Sequence, residues 1–229
     1  MLKHFGPEIW IADGTDVSTG GFHYRTRMAV IRLSDRGLFV WSPIKLTEQL
    51  RYEIEVFGDV HHLVPPNSLH HLFLDDWRRA YPDAKIWAPP RLRKKRRDIN
   101  FASDLGNEPA AEWARDIDQV VVSGNLITTE VVFFHRKSAT VLFTDLVQQF
   151  PKGWFKGWRE TVAKLDLMVG DEPAVPRKFR NTFLNRRAAR SALARILEWP
   201  AEKVLMAHGA PVTTDGRAFI GRAFQWLTG

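Results

Sequence analysis

Glu130-Val-Val-Phe-Phe-His135-Arg-Lys-Ser-Ala-Thr140-Val-Leu-Phe-Thr-Asp145-Leu146 reads as two apolar, β-rich runs around a short polar turn. His135 closes the first run and Asp145 the second, and both side chains are metal-ligating types. A third run, Lys203-Val-Leu-Met-Ala-His208-Gly209, also ends on a histidine. Ligands that are far apart in sequence and arrive at strand ends can build a metal site at one edge of a sheet. The segment therefore predicts a layered α/β protein with His135, Asp145 and His208 as candidate site residues.

Working outward, strands are expected at Ile9–Ala12, Arg27–Leu33 and Leu38–Trp41. The last two form a hairpin across Ser34-Asp-Arg-Gly37. Thr47 is placed to cap a helix running to about Phe57, with Leu50 and Ile54 at i, i+4 spacing. A strand at Val60–Val64, a break at Pro65-Pro66, a helix from about Leu69 to Ala80 and a strand at Lys85–Ala88 follow. Residues 91–116 turn basic and then acidic, and read as a surface excursion. Residues 146–182 are rich in Trp, Pro and Gly and read as a long connection with short helices. Asn185 caps a helix to about Trp199, and residues 215–227 make a closing helix. Short strands alternating with helices favour α/β layering in one domain, 1–229.

Composition narrows the chemistry. The 229 residues are 45% hydrophobic and 12% aromatic, enough for a sizeable core. The chain has no cysteine, so disulfides, thiolate zinc sites and cysteine nucleophiles are excluded. Any metal must be held by His, Asp or Glu, which suits zinc, iron or manganese. Met1–Pro7 lacks the apolar core of a signal peptide, and no apolar run approaches the ~18 residues of a membrane span. Cytoplasmic location without membrane contact is the expectation. The net charge is +7, part of it concentrated in Arg91, Arg93, Lys94, Lys95, Arg96 and Arg97. Such a run could contact nucleic acid, but a solvated loop is the favoured reading, since no DNA- or RNA-reading motif accompanies it. His61-His62 fall within a strand and point to opposite faces, so both cannot serve one site.

In Val64-Pro-Pro-Asn67-Ser-Leu-His70-His71-Leu, a strand and a proline turn lead to two histidines at the expected start of a helix. The order strand–His70-His71–helix, strand–His135, strand–Asp145, strand–His208-Gly209 resembles the metallo-β-lactamase fold superfamily. There the first motif is His-x-His-x-Asp-His. Phe134–Thr140 resembles the second motif, Thr144-Asp145-Leu146 the third, and Ala207-His208-Gly209 the fourth. More closely, Pro66 to Trp77 is similar to a segment of a domain family of unknown function within that superfamily. The resemblance spans nearly the whole chain and implies a four-layer αββα sandwich.

The first motif is altered. His70-His71 stand where its Asp-His pair would be, and Pro66 and Ser68, or Asn67 and Leu69 under a one-residue shift, replace its leading histidines. The resemblance therefore implies one divalent metal, zinc first and iron or manganese next, rather than two. His70, His71, Asp145 and His208 are the implied ligands. His135 would bind alongside, orient substrate or shuttle a proton. Asp145 and His135 are the candidate catalytic residues. The implied activity is metal-dependent hydrolysis of a small ester, thioester, lactone or phosphoester by a metal-activated water. The alternative is a non-catalytic binding or scaffold member with a degenerate site. Taken singly, adjacent histidines, an Asp before a helix and a His before Gly also serve as caps and turn contacts.

Overall fold

The computed structural model describes residues 1–229. A seven-stranded sheet has the order β1 (Lys3–Gly6), β2 (Ile9–Asp13), β5 (Arg27–Arg32), β6 (Leu38–Trp41), β7 (Val60–Val64), β8 (Lys85–Ala88) and β9 (Ser103–Asp104). Between β2 and β5 the chain makes a small separate hairpin, β3 (Val17–Thr19) and β4 (Phe22–Tyr24). The second sheet runs β10 (Ile117–Val122), β11 (Glu130–His135), β12 (Thr140–Gln148), β13 (Lys203–His208). The helices are α1 (Glu48–Glu55), α2 (Leu74–Ala80), α3 (Leu92–Lys95), α4 (Trp158–Leu165), α5 (Arg177–Asn181), α6 (Arg186–Glu198), α7 (Gly216–Ala223) and α8 (Gln225–Thr228).

The period-2 alternation of the strands builds the layers. Ala29, Ile31, Phe39 and Trp41 of the first sheet face Val131, Phe133, Leu142 and Leu205 of the second, forming the inter-sheet core. Their neighbours Met28, Val30, Leu38 and Val40 point outward under Leu50 and Ile54 of α1 and Leu74 and Trp77 of α2. On the other side Val132, Phe134, Val141 and Phe143 pack beneath Ala189, Leu193 and Ile196 of α6 and Phe219 and Ile220 of α7. The result is the expected four-layer αββα sandwich. Thr47 accepts from the Leu50 N–H at 3.2 Å and Asn185 from the Ala188 N–H at 3.0 Å, so both expected caps form.

Four strands set the position of the site. β6 and β7 are parallel to each other, and so are β12 and β13. Their C-terminal ends lead into Ser42, Asn67–His70, Gln148 and His208, which lie at one edge of the sandwich. Open α/β sheets bind ligands at such carboxyl ends. β11 is antiparallel to β12, with His135 opposite Thr140. It therefore enters at the site edge with Glu130 and leaves at the far edge with His135.

Three local expectations change. The helix expected from Leu69 begins at Leu74, because Ser68 to Phe73 form turns organised by the fully buried Asn67. In the hairpin turn before β6, Arg36 rather than Gly37 takes the left-handed conformation, at φ +74°. Gly37 leaves room for the exposed His61 ring, which a Cβ there would push aside. The segment 91–116 is basic on its exposed side but buries Leu92, Ile99, Phe101, Leu105 and Trp113, and β9 extends the sheet edge. Its cations are largely engaged within the chain: Arg93 with Asp104, Arg96 with Asp75 and Asp98, Arg91 with the Leu126 carbonyl, and Lys95 with the Ser68 carbonyl. No helix is long and apolar enough to cross a membrane.

Two buried histidines serve packing. His62 accepts from the Trp87 indole N–H at 3.2 Å between the sheets, while its neighbour His61 is exposed. His135 lies 2.7 Å from Ser138 Oγ, which donates to Thr140 Oγ1 at 2.8 Å, closing the β11–β12 turn. Burial, the leading cause, pushes both imidazoles down to about 4, so the folded protein keeps them neutral. The unfolded chain protonates near pH 6.5, so stability from each is lost as pH falls from about 6.5 towards 4, by roughly 3 kcal/mol. Urea unfolding of the wild type and His135→Gln at pH 8, 6, 5 and 4 should show a smaller acid-induced loss in the variant. Parallel profiles would refute this role for His135.

Candidate metal centre

Three side chains converge at the site edge. His70, Asp145 and His208 each offer a ligand atom within 4.8 Å of the others. His70 Nε2 lies 3.3 Å from Asp145 Oδ2, and His208 Nε2 lies 3.3 Å from Asp145 Oδ1. One carboxylate is thus shared between two imidazoles whose centroids are 5.2 Å apart.

Each member is held by a local device. β6 leads into Ser42, a non-glycine residue at φ +52°, whose hydroxyl lies 2.9 Å from His70 Nδ1. Pro65-Pro66 end β7, and Asn67 turns the chain by accepting the N–H groups of Leu69 at 2.8 Å and His70 at 3.2 Å. The Asn67 amide donates to Asp145 Oδ2 at 2.6 Å and to Thr144 Oγ1 at 3.1 Å. His208 Nδ1 donates to the Arg25 carbonyl. Arg27 braces the turn after β13 by donating to the carbonyls of Met206, at 3.0 Å, and Gly209. A Cβ at Gly209 would press on Met206 and on the Gln149 backbone, so this turn requires glycine.

The hydrogen bonding bears directly on metal fit. Because His208 Nδ1 must donate to a carbonyl, neutral His208 presents the Nε2 lone pair to an Asp145 oxygen. Two lone pairs then face each other across 3.3 Å unless a proton or a cation lies between them. Burial alone would raise the Asp145 pKa, but His70 and His208 hold it well below the ordinary carboxylate range. The donor set is thus an ionised carboxylate and two imidazole Nε2 atoms, with both Nδ1 atoms fixed by outer partners. That arrangement fits one divalent ion with open coordination positions.

The cluster opens into a cleft of about 440 Å³. Leu69, Leu72 and Ile127 line it and are exposed. Lys95 and Lys178 also line it, and Asp145 is the one acid among the lining residues. Gln148, itself buried, has a side-chain oxygen without a hydrogen-bond partner.

Two sequence candidates do not join the cluster. His71 lines the cleft, but its Nδ1 faces the Arg96 guanidinium at 3.4 Å. Burial first, then the charges of Lys95 and Arg96, push it down to about 4. Asp75, four residues on from His71, is engaged by the Arg96 guanidinium. His135 is partnered with Thr140, five residues back along β12 from Asp145, or roughly 16 Å at strand rise. The antiparallel sense of β11 carries it to the wrong edge. The loop after β10, residues 123–129, lies at the site edge, and it contributes Ile127 to the cleft.

Sequence reading passed over Glu130. It is fully buried, and its carboxylate accepts the backbone N–H groups of Thr144, Asp145 and Leu146 at 2.7, 2.8 and 3.0 Å. Burial and then the nearby Asp145 charge raise it to about 7, against the pull of those donors. The available signal was a charged residue opening an otherwise apolar strand.

Residues 8–187 match the profile of a family described as a domain of unknown function, DUF4336. No curated protein matches the chain. Among solved structures, a metallo-β-lactamase from Pontibacter korlensis is similar at TM-score 0.67 and 11% identity, over 100% of this chain and 99% of that one. The DIM-1 metallo-β-lactamase exposed to ceftazidime is similar at TM-score 0.68 and 15% identity, covering 98% of this chain and 96% of that one. The Flv1 flavodiiron core from Synechocystis sp. PCC6803 is similar at TM-score 0.66 and 13% identity, over 100% of this chain and 60% of that one. At such identities the likeness is one of fold. With the profile spanning most of its length, the chain belongs to the DUF4336 family and carries the metallo-β-lactamase fold.

Proposed function

We propose that the protein is a metal-dependent hydrolase of a small molecule, with His70, Asp145 and His208 holding one divalent ion, zinc before iron or manganese. The observation that carries this reading is the convergence of ligand atoms from His70, Asp145 and His208 within 4.8 Å of one another at the head of a cleft. A bound ion would lower the pKa of a water towards neutrality and polarise a carbonyl or phosphoryl oxygen.

The chain's own groups divide the remaining work. Asn67 keeps Asp145 Oδ2 oriented by its amide N–H. Asp145, the one acid of the lining, would hold the ion and offset part of its charge. The free oxygen of Gln148 can accept a hydrogen bond from water or substrate. Leu69, Leu72 and Ile127 offer an apolar wall, while Lys95 and Lys178 favour negative charge. An ester, thioester, lactone or phosphoester with an apolar body and an anionic group suits that lining. A non-catalytic binding or scaffold member is the second reading, favoured by the altered first motif, where Pro66 and Ser68, or Asn67 and Leu69, replace the leading histidines.

Elemental analysis of protein purified without a histidine tag should find about one divalent ion per chain. Calorimetric titration should show at least 100-fold weaker binding in Asp145→Asn and His208→Ala, with little change in His135→Ala. Absence of uptake of zinc, iron and manganese would refute the metal reading, and metal uptake without turnover on any of the four substrate classes would leave the binding reading. For an active substrate pair differing by one anionic group, Lys95→Gln should raise KM about tenfold for the anionic member, roughly 1.4 kcal/mol. Equal KM changes for both would remove Lys95 from substrate recognition.

A further inference from the structure

We infer that Glu130 is a positioning residue for Asp145: its buried carboxylate replaces a lapsed stretch of sheet pairing and so aims Asp145 between His70 and His208. The inference rests on the reading of this cluster as a metal site, and it extends that reading to a residue that touches neither metal nor substrate.

The register shows why such a device is needed. β11 and β12 pair at His135 with Thr140, Phe134 with Val141 and Phe133 with Leu142. Continued unbroken, that register would set Val131 opposite Thr144 and Glu130 opposite Asp145. Instead the pairing stops at Leu142, and Val131 donates its N–H to the Pro66 carbonyl at 2.8 Å. On the other side, the β12–β13 pairing is irregular between Phe143 and Gln148. Around Asp145, therefore, β12 leaves its regular register with both neighbours inside a buried layer.

Backbone N–H groups at such a depth need acceptors. Glu130 supplies them with one side chain, taking Thr144, Asp145 and Leu146 at 2.7–3.0 Å. Three successive N–H groups donating to one carboxyl group fix the direction of the backbone from which Asp145 projects. Asn67 fills the rest of the opening and grips the Asp145 carboxylate itself. Backbone and side chain of Asp145 are thus held by different partners, both inserted where β11 and β12 separate.

The test compares the full-length wild type with Glu130→Gln, whose amide nitrogen cannot accept from a backbone N–H. Zinc titration at a temperature where both are folded should show affinity about 10- to 100-fold weaker in the variant. In metal-free protein, the ring 15N resonances of His70 and His208 should move while those of His62 and His135 stay in place. Unchanged zinc affinity and unchanged His70 and His208 resonances, with only a lower Tm, would reduce Glu130 to a stabiliser of the strand and overturn the inference. If the wild type takes up no zinc, the metal reading fails while the ring resonances still decide the positioning role. If Glu130→Gln does not fold, amide exchange in the wild type decides. Protection of the Thr144, Asp145 and Leu146 amides equal to that of Leu142 supports the inference, and free exchange overturns it.

Discussion

Asp145 is an ionised carboxylate at 6% exposure, and its removal from water would cost several kcal/mol if nothing replaced the lost hydration. The site edge can be read as the set of groups that replace it. Asn67 gives an amide N–H, and His70 and His208 approach one oxygen each. Glu130 holds the backbone beneath it. A second buried acid beside the first would worsen the electrostatics, and it is tolerated because three N–H donors surround it. The rise of Glu130 to about 7 alongside the depression of Asp145 expresses that division: the charge is concentrated on the residue that faces the imidazoles.

Much of the architecture was legible because the strands read as short, continuous apolar runs. Met28 to Ile31, Leu38 to Trp41 and Val141 to Phe143 are apolar on both faces, as strands covered on both sides must be, and the helices between them carry recognisable caps. What remained hidden was direction. Apolar runs look the same whether a strand arrives at the site edge or leaves it, so His135 and Asp145, each closing a run, looked equivalent. Only the hairpin register shows that the turn between them lies at the far edge and that Glu130, at the start of β11, is the residue that shares an edge with Asp145.

The site itself was half legible. His208 ends β13, Asp145 lies in the last part of β12 and His70 follows β7 in a turn, in an order that the fold resemblance supports. The groups that hold them are ordinary residues whose roles depend on tertiary contact: a serine in a left-handed conformation, an asparagine buried in a turn, and a glutamate inside a strand. His71 shows the converse. Adjacent to His70 and equally suggestive as a ligand, it faces Arg96 and is held neutral by burial and by positive neighbours. Helix α2 beginning at Leu74 leaves His70 and His71 in a turn, where adjacent side chains diverge.

His70 comes from the loop that ends β7 in the first sheet, whereas Asp145 and His208 come from β12 and β13 in the second. An ion held by all three would therefore join the two halves of the sandwich at the edge where the inter-sheet core stops. Such binding adds to folding free energy in proportion to how much more tightly the folded state holds the ion. The same edge is already braced without it: Trp77 of α2 donates to the Ile44 carbonyl at 2.6 Å, and Arg27 of β5 reaches the carbonyls of Met206 and Gly209 across the sheets. These contacts preorganise the two sides of the cleft. Binding then need not supply the entropy of bringing them together, and more of the intrinsic ligand affinity is retained.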